Sequence, residues 1–416
     1  MATEFRAKNN ILANVDGQAA LAVTDIGANS VVQNAAALTA FGEASVAQNQ
    51  CQVGWGPFQV LASQLVVPIT SGSGSVDVDG NFARAQTGTD TTGAAALRSV
   101  AYFSYNPGIG AIIRFTTVFD TPQEDSDQIQ GVFTFDPVTF QPANGWGIGY
   151  KGLEFGIFRF SKGVEQEFIP QSSWSEDTKS SLIPQNGNVY QFKLQWLGFG
   201  MQFFDIEGDD GTGTFQNAHN IDYANKNTET SVEFPSVPIT MLVRNRGNAS
   251  NLTIKSPSAY AASQGEAFPT AFTTLNGIKL PIGSVSTGEN YGFSIQNPLT
   301  FNSLENYRYI EPVLLSLVSD DLAPVTFDIY FNMTLTGANF TDVSPTSTPA
   351  LVDFDATAWS GGEFVTTISI SRDSQVELDV ASLFEARIWP GATLTLIIDA
   401  ASNANAGAGL TFRSRI

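Results

Sequence analysis

The chain has 416 residues, 43% of them hydrophobic, with 31 Phe, 10 Tyr and 6 Trp, so a sizeable core is available and long-range disorder is excluded. Charged residues reach only 14%, against about 25% in an average soluble domain, and Gly, Ser, Thr, Asn and Gln supply most of the polarity, as in turn-rich β proteins. Forty acidic against twenty basic groups leave a net charge of −20, which repels phosphate backbones and anionic headgroups and argues against nucleic acid or membrane as partner.

At about 100–200 residues per domain, this length calls for two folded units and an appendage. Cys51 is the only cysteine, so no intramolecular disulfide is available. With no His or Lys run beside it, a small half-buried side chain is expected there rather than a reactive thiol. The start MATEFRAKNN lacks the apolar stretch of a signal peptide, and no run reaches the ~18 apolar residues of a membrane span. The mature chain is therefore expected to begin at or near Met1 and, outside a cell, to travel in or on an assembled particle.

Residues 11–50 are rich in Ala, Val, Asn and Gln, and Gly17, Gly27 and Gly42 interrupt any helical period, so an extended arm is expected over residues 1–53. Such an arm buries little by itself. From Phe58 short apolar runs alternate with turn clusters: Val60 to Ile69, the Ser71-Gly72-Ser73-Gly74-Ser75 turn, then Val76 to Ala85. Ile112 to Phe119, Gly131 to Phe135 and Leu153 to Phe160 follow as strands. Val189 to Trp196 alternates strictly, with Tyr190, Phe192, Leu194 and Trp196 on one face and Gln191, Lys193 and Gln195 on the other, the pattern of a half-exposed antiparallel strand. Residues 238–243 and 249–256 complete a first unit over 54–265, with Gly265 to Pro269 as the boundary. Ala271 to Leu280, Asn290 to Ile295, Tyr309 to Val318, Val325 to Leu335, Phe364 to Ser371 and Thr393 to Ile398 supply a second unit over 266–416, and Pro345 to Pro349 reads as an exposed loop. No repeat of about 20–50 residues points to a propeller or solenoid. The expected fold is all-β: two antiparallel β-sandwich, jelly-roll-like domains behind an N-terminal extended arm.

Few residues suggest chemistry. Gly147-Ile148-Gly149-Tyr150-Lys151-Gly152 satisfies GxGxxG, but a strand rather than a helix follows, so a hairpin turn is expected. Asp77, Asp79 and Asn81 open like a calcium loop, yet Phe82 and Gly88 occupy the positions that need Gly and Glu. Asp205, Glu207, Asp209 and Asp210, and likewise Asp120, Glu124, Asp125 and Asp127, read as solvated acidic turns, with a weak calcium site completed by distant ligands as the open alternative. His219 is the sole histidine, with Asp222 three residues on and no GxSxG serine, so it reads as a loop residue rather than a base. Trp146, Trp174, Trp196, Trp359 and Trp389 read as core and interface before sugar platform. The sequons at Asn248, Asn251, Asn332 and Asn339 carry little weight without secretion. No catalytic, metal or cofactor-binding residue is assigned.

Several phrases stand out: Tyr105-Asn106-Pro107-Gly108-Ile109-Gly110 leading into Ile113-Arg114-Phe115-Thr116; Gly149-Tyr150-Lys151-Gly152-Leu153-Glu154-Phe155-Gly156-Ile157; Ile169-Pro170-Gln171-Ser172-Ser173-Trp174; and Val189-Tyr190-Gln191 into Gln195-Trp196-Leu197-Gly198-Phe199-Gly200. The stretch they mark resembles a domain of structural proteins of tailed bacteriophages and large double-stranded DNA viruses, including fibre-like and minor capsid components. Trp389-Pro390-Gly391-Ala392-Thr393-Leu394-Thr395 and Leu410-Thr411-Phe412-Arg413 look like the closing strands of the same kind of protein, a looser match. The resemblance implies a non-enzymatic virion structural protein on the outer capsid surface, a head fibre, decoration or minor capsid component. It implies other capsid proteins and further copies of itself as partners in a homo-oligomer, trimers being common among fibres. The arm would dock on a neighbouring subunit by strand addition or groove filling. Two alternatives stay open: a host-recognition fibre whose sandwich loops bind a surface glycan, and a glycan-cleaving enzyme, which needs only two carboxylates across a groove.

Overall fold

The computed structural model describes residues 3–6, 12–15, 39–40, 49–63, 65–208, 213–265, 275–320, 323–380 and 387–415. The chain is all-β and forms two compact units, Met1–Phe268 and Pro269–Ile416.

In the first unit β1 (Thr3–Arg6) pairs with β2 (Leu12–Val15), and the rest of the expected arm before residue 49 lies outside the described residues except Thr39 and Ala40. Then come β3 (Gln50–Trp55), β4 (Val66–Ser71), β5 (Ser75–Asp79), β6 (Phe82–Gln86), β7 (Ala94–Phe103) and β8 (Ala111–Thr117). They are followed by β9 (Ser126–Phe135), β10 (Pro142–Lys151), β11 (Glu154–Ser161), β12 (Val164–Pro170) and β13 (Asn188–Leu194). The unit closes with β14 (Gln202–Glu207), β15 (Phe215–Ile221), β16 (Val237–Asn245), β17 (Thr253–Ser256) and β18 (Ala259–Ser263). A seven-stranded antiparallel sheet, β12-β11-β10-β9-β16-β7-β4, and a six-stranded one, β15-β14-β13-β8-β18-β3, make the sandwich, with a three-stranded sheet β17-β6-β5 beside them.

Period-2 alternation sends Phe115, Tyr190, Phe192 and Phe204 from the six-stranded sheet, and Tyr150 and Phe155 from the seven-stranded one, into a shared aromatic core. Several polar groups between the sheets are paired: Thr117 Oγ1 donates to Gln130 Oε1 at 2.6 Å, and Gln130 Nε2 donates to Ser256 Oγ at 3.0 Å. Every residue of β9 is buried, because a second apolar cluster of Ile129, Phe133, Phe158, Phe160 and Leu242 covers the other face of the same sheet. Gly131 lies opposite Gly147 there, and a Cβ on Gly131 would come within 2.3 Å of the Trp146 carbonyl oxygen, so only glycine fits.

The second unit contains β19 (Leu275–Val285), β20 (Gly288–Gln296), β21 (Thr300–Phe301), β22 (Leu304–Glu305), β23 (Tyr309–Ser319), β24 (Val325–Phe331) and β25 (Thr334–Thr336). It continues through β26 (Thr341–Asp342), β27 (Leu351–Asp353), β28 (Ala358–Ser360), β29 (Glu363–Ile370), β30 (Ser374–Asp379), β31 (Thr393–Ala400) and β32 (Ala404–Arg415). Sheets β19-β32-β23-β30 and β26-β27-β20-β31-β24-β29 enclose Phe293, Ile310, Leu317, Phe327, Leu396 and Phe412.

The structure corrects several expectations. Val60 to Ile69 becomes a strand only from Val66, and Val76 to Ala85 is two strands turning at Gly80, whose φ of +65° needs glycine. Trp196 lies beyond β13, which ends at Leu194. The Pro345 to Pro349 loop is not wholly exposed: Thr348 is buried and its hydroxyl meets that of Ser414 at 2.5 Å. Ala271 to Thr274 lie outside the described residues. Cys51 is exposed rather than half-buried, because β3 is an edge strand; its thiol points at the Val53 carbonyl, and partial desolvation raises its pKa, which disfavours the thiolate.

Candidate functional site

Most residues that suggested chemistry turn out to hold the fold together. Gly147 to Gly152 runs from the end of β10 into the hairpin, where Lys151 pairs with Glu154. Asp77 and Asp79 are neutralised by Arg84 and Lys255 at 2.6, 3.4 and 2.7 Å, and these cations hold both carboxyls below their ordinary range. Asp120 accepts the backbone N–H groups of Thr121 and Thr253. Asp127, far from being solvated, is buried against Arg244 and Arg246. Asp209 and Asp210 lie outside the described residues. Trp146, Trp174 and Trp389 are buried in the units, and Trp196 and Trp359 are half-buried. The Asn248 amide donates to the carbonyls of Glu124 and Asp125, and Asn251 accepts the Gly88 N–H, so these two sequon side chains are engaged in turns. Asn332 accepts the Thr393 N–H, and the Asn339 N–H donates to Asp353. Among the described residues, no three His, Cys, Asp or Glu are placed to hold a metal ion, and no helix is long and apolar enough to cross a membrane.

His219 sits in β15 and is buried, not in a loop; its Nδ1 accepts the Ser175 N–H at 3.0 Å, while Asp222 pairs with Lys226 instead. Burial pushes its imidazole below the ordinary 6.5. A histidine with a lowered folded pKa contributes stability above pH 6.5 that is lost as pH falls from there toward the folded value. His219→Gln is therefore expected to flatten the dependence of the urea midpoint on pH just below 6.5; an unchanged slope would show that other groups govern that window.

Sequence reasoning missed Asp353, which is fully buried in the second unit. It accepts the Tyr291 hydroxyl at 2.5 Å and the N–H groups of Asn339 and Ala356 at 2.6 and 3.2 Å, so it organises loops. Burial, with the Asp353 carboxylate, raises the Tyr291 pKa.

One constellation is not explained by packing. On the face of the six-stranded sheet turned away from the core, Asn217, Asp205, Gln191, Arg114 and Tyr260 stand opposite one another across β15, β14, β13, β8 and β18, ending at Gly54 of β3. The side chains from Asn217 to Arg114 form one hydrogen-bonded row. Asn217 Nδ2 donates to Asp205 Oδ1 at 2.8 Å, Gln191 Nε2 to Asp205 Oδ2 at 2.7 Å, and Arg114 Nε to Gln191 Oε1 at 2.6 Å. Lys193 lies 3.1 Å from Asp205 and over the Phe203 ring. Gln191 and Asp205 are 5% and 3% exposed, so the alternation read from the sequence fails here: positions on the outer face are covered.

The cover is an arginine. The Arg114 guanidinium lies 5.0 Å from the ring of Phe215 and 5.9 Å from that of Tyr260. Phe215 belongs to β15, three strands from β8, a span of about 14 Å at ordinary strand spacing. The long Arg114 side chain lies across the outer face of the neighbouring strands to reach that ring. The face is lined by buried polar groups and by half-buried Arg114, Lys193, Phe203, Phe215 and Tyr260. Such a surface offers flat apolar rings beside fixed donors, a combination suited to binding and poor in free acids. Sequence alternation places each residue on this face; the cross-strand register that aligns them is not readable from it.

At one end of the same sheet the described part of the arm is held. The Ala40 N–H donates to Gln264 Oε1 at 2.6 Å, and the Ala40 carbonyl accepts the Gln195 amide. Ala40 is buried.

No protein-family model and no curated protein matches the chain. Solved structures similar to it include a legume lectin-like domain from Entamoeba histolytica, 10% identical over 47% of this chain and 89% of that one, with a TM-score of 0.31. Bacillus licheniformis β-glucanase is 12% identical over 51% of this chain and 99% of its own, TM-score 0.34. Peanut lectin is 8% identical over 52% and 98%, TM-score 0.35. Likeness at this level lends the chain no function.

Proposed function

We propose that this is a non-catalytic attachment protein of a particle's outer surface, a virion head fibre, decoration or minor capsid component. In this reading the outer face of the six-stranded sheet is its recognition surface, with a glycan as the ligand class. The observation that carries the recognition role is the Arg114–Phe215 contact over the hydrogen-bonded row. It sets half-buried rings beside a fixed guanidinium, which suits the C–H faces and hydroxyls of a sugar. Catalysis is disfavoured because cleavage requires two available carboxylates, whereas Asp205 on this face is taken up by Gln191, Asn217 and Lys193. The virion setting is supported by the sequence phrases between Tyr105 and Gly200 and by a charge of −20, which suits an outer surface. Assembly with other capsid proteins and as a homo-oligomer belongs to the same proposal.

The test is binding of the full chain to an immobilised glycan panel, with reducing ends assayed in parallel. Binding without new reducing ends is expected, weakened about tenfold by Phe203→Ala, which removes one ring of that face. New reducing ends that disappear in Glu207→Gln would transfer the protein to the glycan-cleaving class. Absence of binding to every glycan would remove the recognition role.

A further inference from the structure

We infer that this outer face of the six-stranded sheet selects glycans bearing a carboxylate, uronic or sialic acid sugars, over neutral ones, through Arg114 and Lys193. This rests on the glycan reading above. The chain as a whole carries −20, whereas the described charged groups on this face are the two cations, the buried carboxylate of Asp205 and the exposed carboxylate of Glu207. Arg114 stands in β8 opposite Gln191, and Lys193 in β13 opposite Ile112, so the two are diagonal neighbours about 7–8 Å apart at their Cβ atoms. One anionic group can lie between them.

Arg84, Lys151, Lys162 and Arg244 each face a carboxylate of their own at 2.6 or 2.7 Å. Among the described residues no carboxylate pairs with Arg114. Its Nε is committed to the Gln191 carbonyl oxygen, which fixes the plane of the guanidinium, and the rings of Phe215 and Tyr260 lie against it. Both terminal nitrogens of the fork are left for a ligand, in the geometry that receives a carboxylate by two parallel hydrogen bonds. Lys193 shares Asp205 with Gln191 and keeps 29% of its side chain exposed, so its ammonium can add a second contact. Asp205 has both oxygens occupied from within the sheet, so its charge is directed at the sheet and not at the ligand. Glu207, exposed on the same face of β14, stands opposite Phe215.

The experiment compares the full chain's affinity for tetragalacturonate, a hyaluronan tetrasaccharide and 3′-sialyllactose with its affinity for the carboxyl-reduced form of each, at low and physiological salt. The expected result is that at least one acidic glycan binds roughly tenfold or more tightly than its reduced partner, with the difference shrinking as salt rises. Arg114→Gln should abolish the difference, and Lys193→Gln, at a more exposed position, should reduce it without loss of fold. Equal binding of acidic and reduced forms would overturn the carboxylate assignment and leave the glycan reading standing; no binding of either form would overturn both.

Discussion

Asp127→Ala is expected to destabilise the first unit by about 3–5 kcal/mol, among the largest effects of any single polar substitution in this protein. The Asp127 carboxylate is 5% exposed and takes Arg244 at 2.7 Å and Arg246 at 3.1 Å. Arg244, only 13% exposed, also donates to the Phe140 carbonyl and to Gln141, which pins the turn after β9 to β16. Removing the carboxylate leaves a guanidinium buried without a counter-charge, and that desolvation cost is not recovered by water. Asp127→Asn keeps an acceptor and should lose less. The control is Glu229→Ala: Glu229 pairs with Lys162 at side-chain exposures of 69% and 54%, so its loss should leave the denaturation midpoint unchanged. Equal midpoint shifts for Asp127→Ala and Glu229→Ala in guanidinium unfolding would show that burial does not set the worth of these pairs.

Phe192→Ala should cost a similar amount, about 3–5 kcal/mol, by a different mechanism. Its ring is fully buried, 5.2 Å from that of Phe115 and 4.8 Å from that of Phe204, in the layer where the two sheets of the first unit meet. Truncation loses the transfer free energy of the ring and leaves a cavity lined by other rigid rings that cannot collapse into it. Phe192→Leu fills part of the space and should cost less than about 1.5 kcal/mol. Phe364 in β29 is 58% exposed, and Phe364→Ala should barely move the midpoint. A small shift for Phe192→Ala would mean the aromatic layer repacks, against the interlocked ring geometry.

The outer face of the six-stranded sheet shows how much of a site one strand can disclose. Val189 to Leu194 was legible as a strand with Tyr190, Phe192 and Leu194 facing the core, because side-chain direction alternates strictly with position. That Gln191 is covered rather than exposed was not legible, because Arg114 and Asp205 reach it from neighbouring strands 77 and 14 residues away in the chain. Asp127 was misplaced for the same reason. In the sequence it belongs to an acidic turn, and only pairing with β16 brings Arg244, 117 residues later, against it. Asp353 gave no local signal, since Tyr291 on β20 and Asn339 reach it from 62 and 14 residues away in the chain.

By itself, the sequence determined the all-β class and the turns, since these rest on composition, glycine placement and period-2 alternation, all local properties. It also determined that Gly147 to Gly152 closes a hairpin, because no helix follows to hold a phosphate. Only the tertiary structure decided which polar residues are buried, which acids are spent on cations and which side chains line the outer face of the six-stranded sheet. Those follow from strand order and register, which join positions far apart in the chain, where one-dimensional periodicity carries no information.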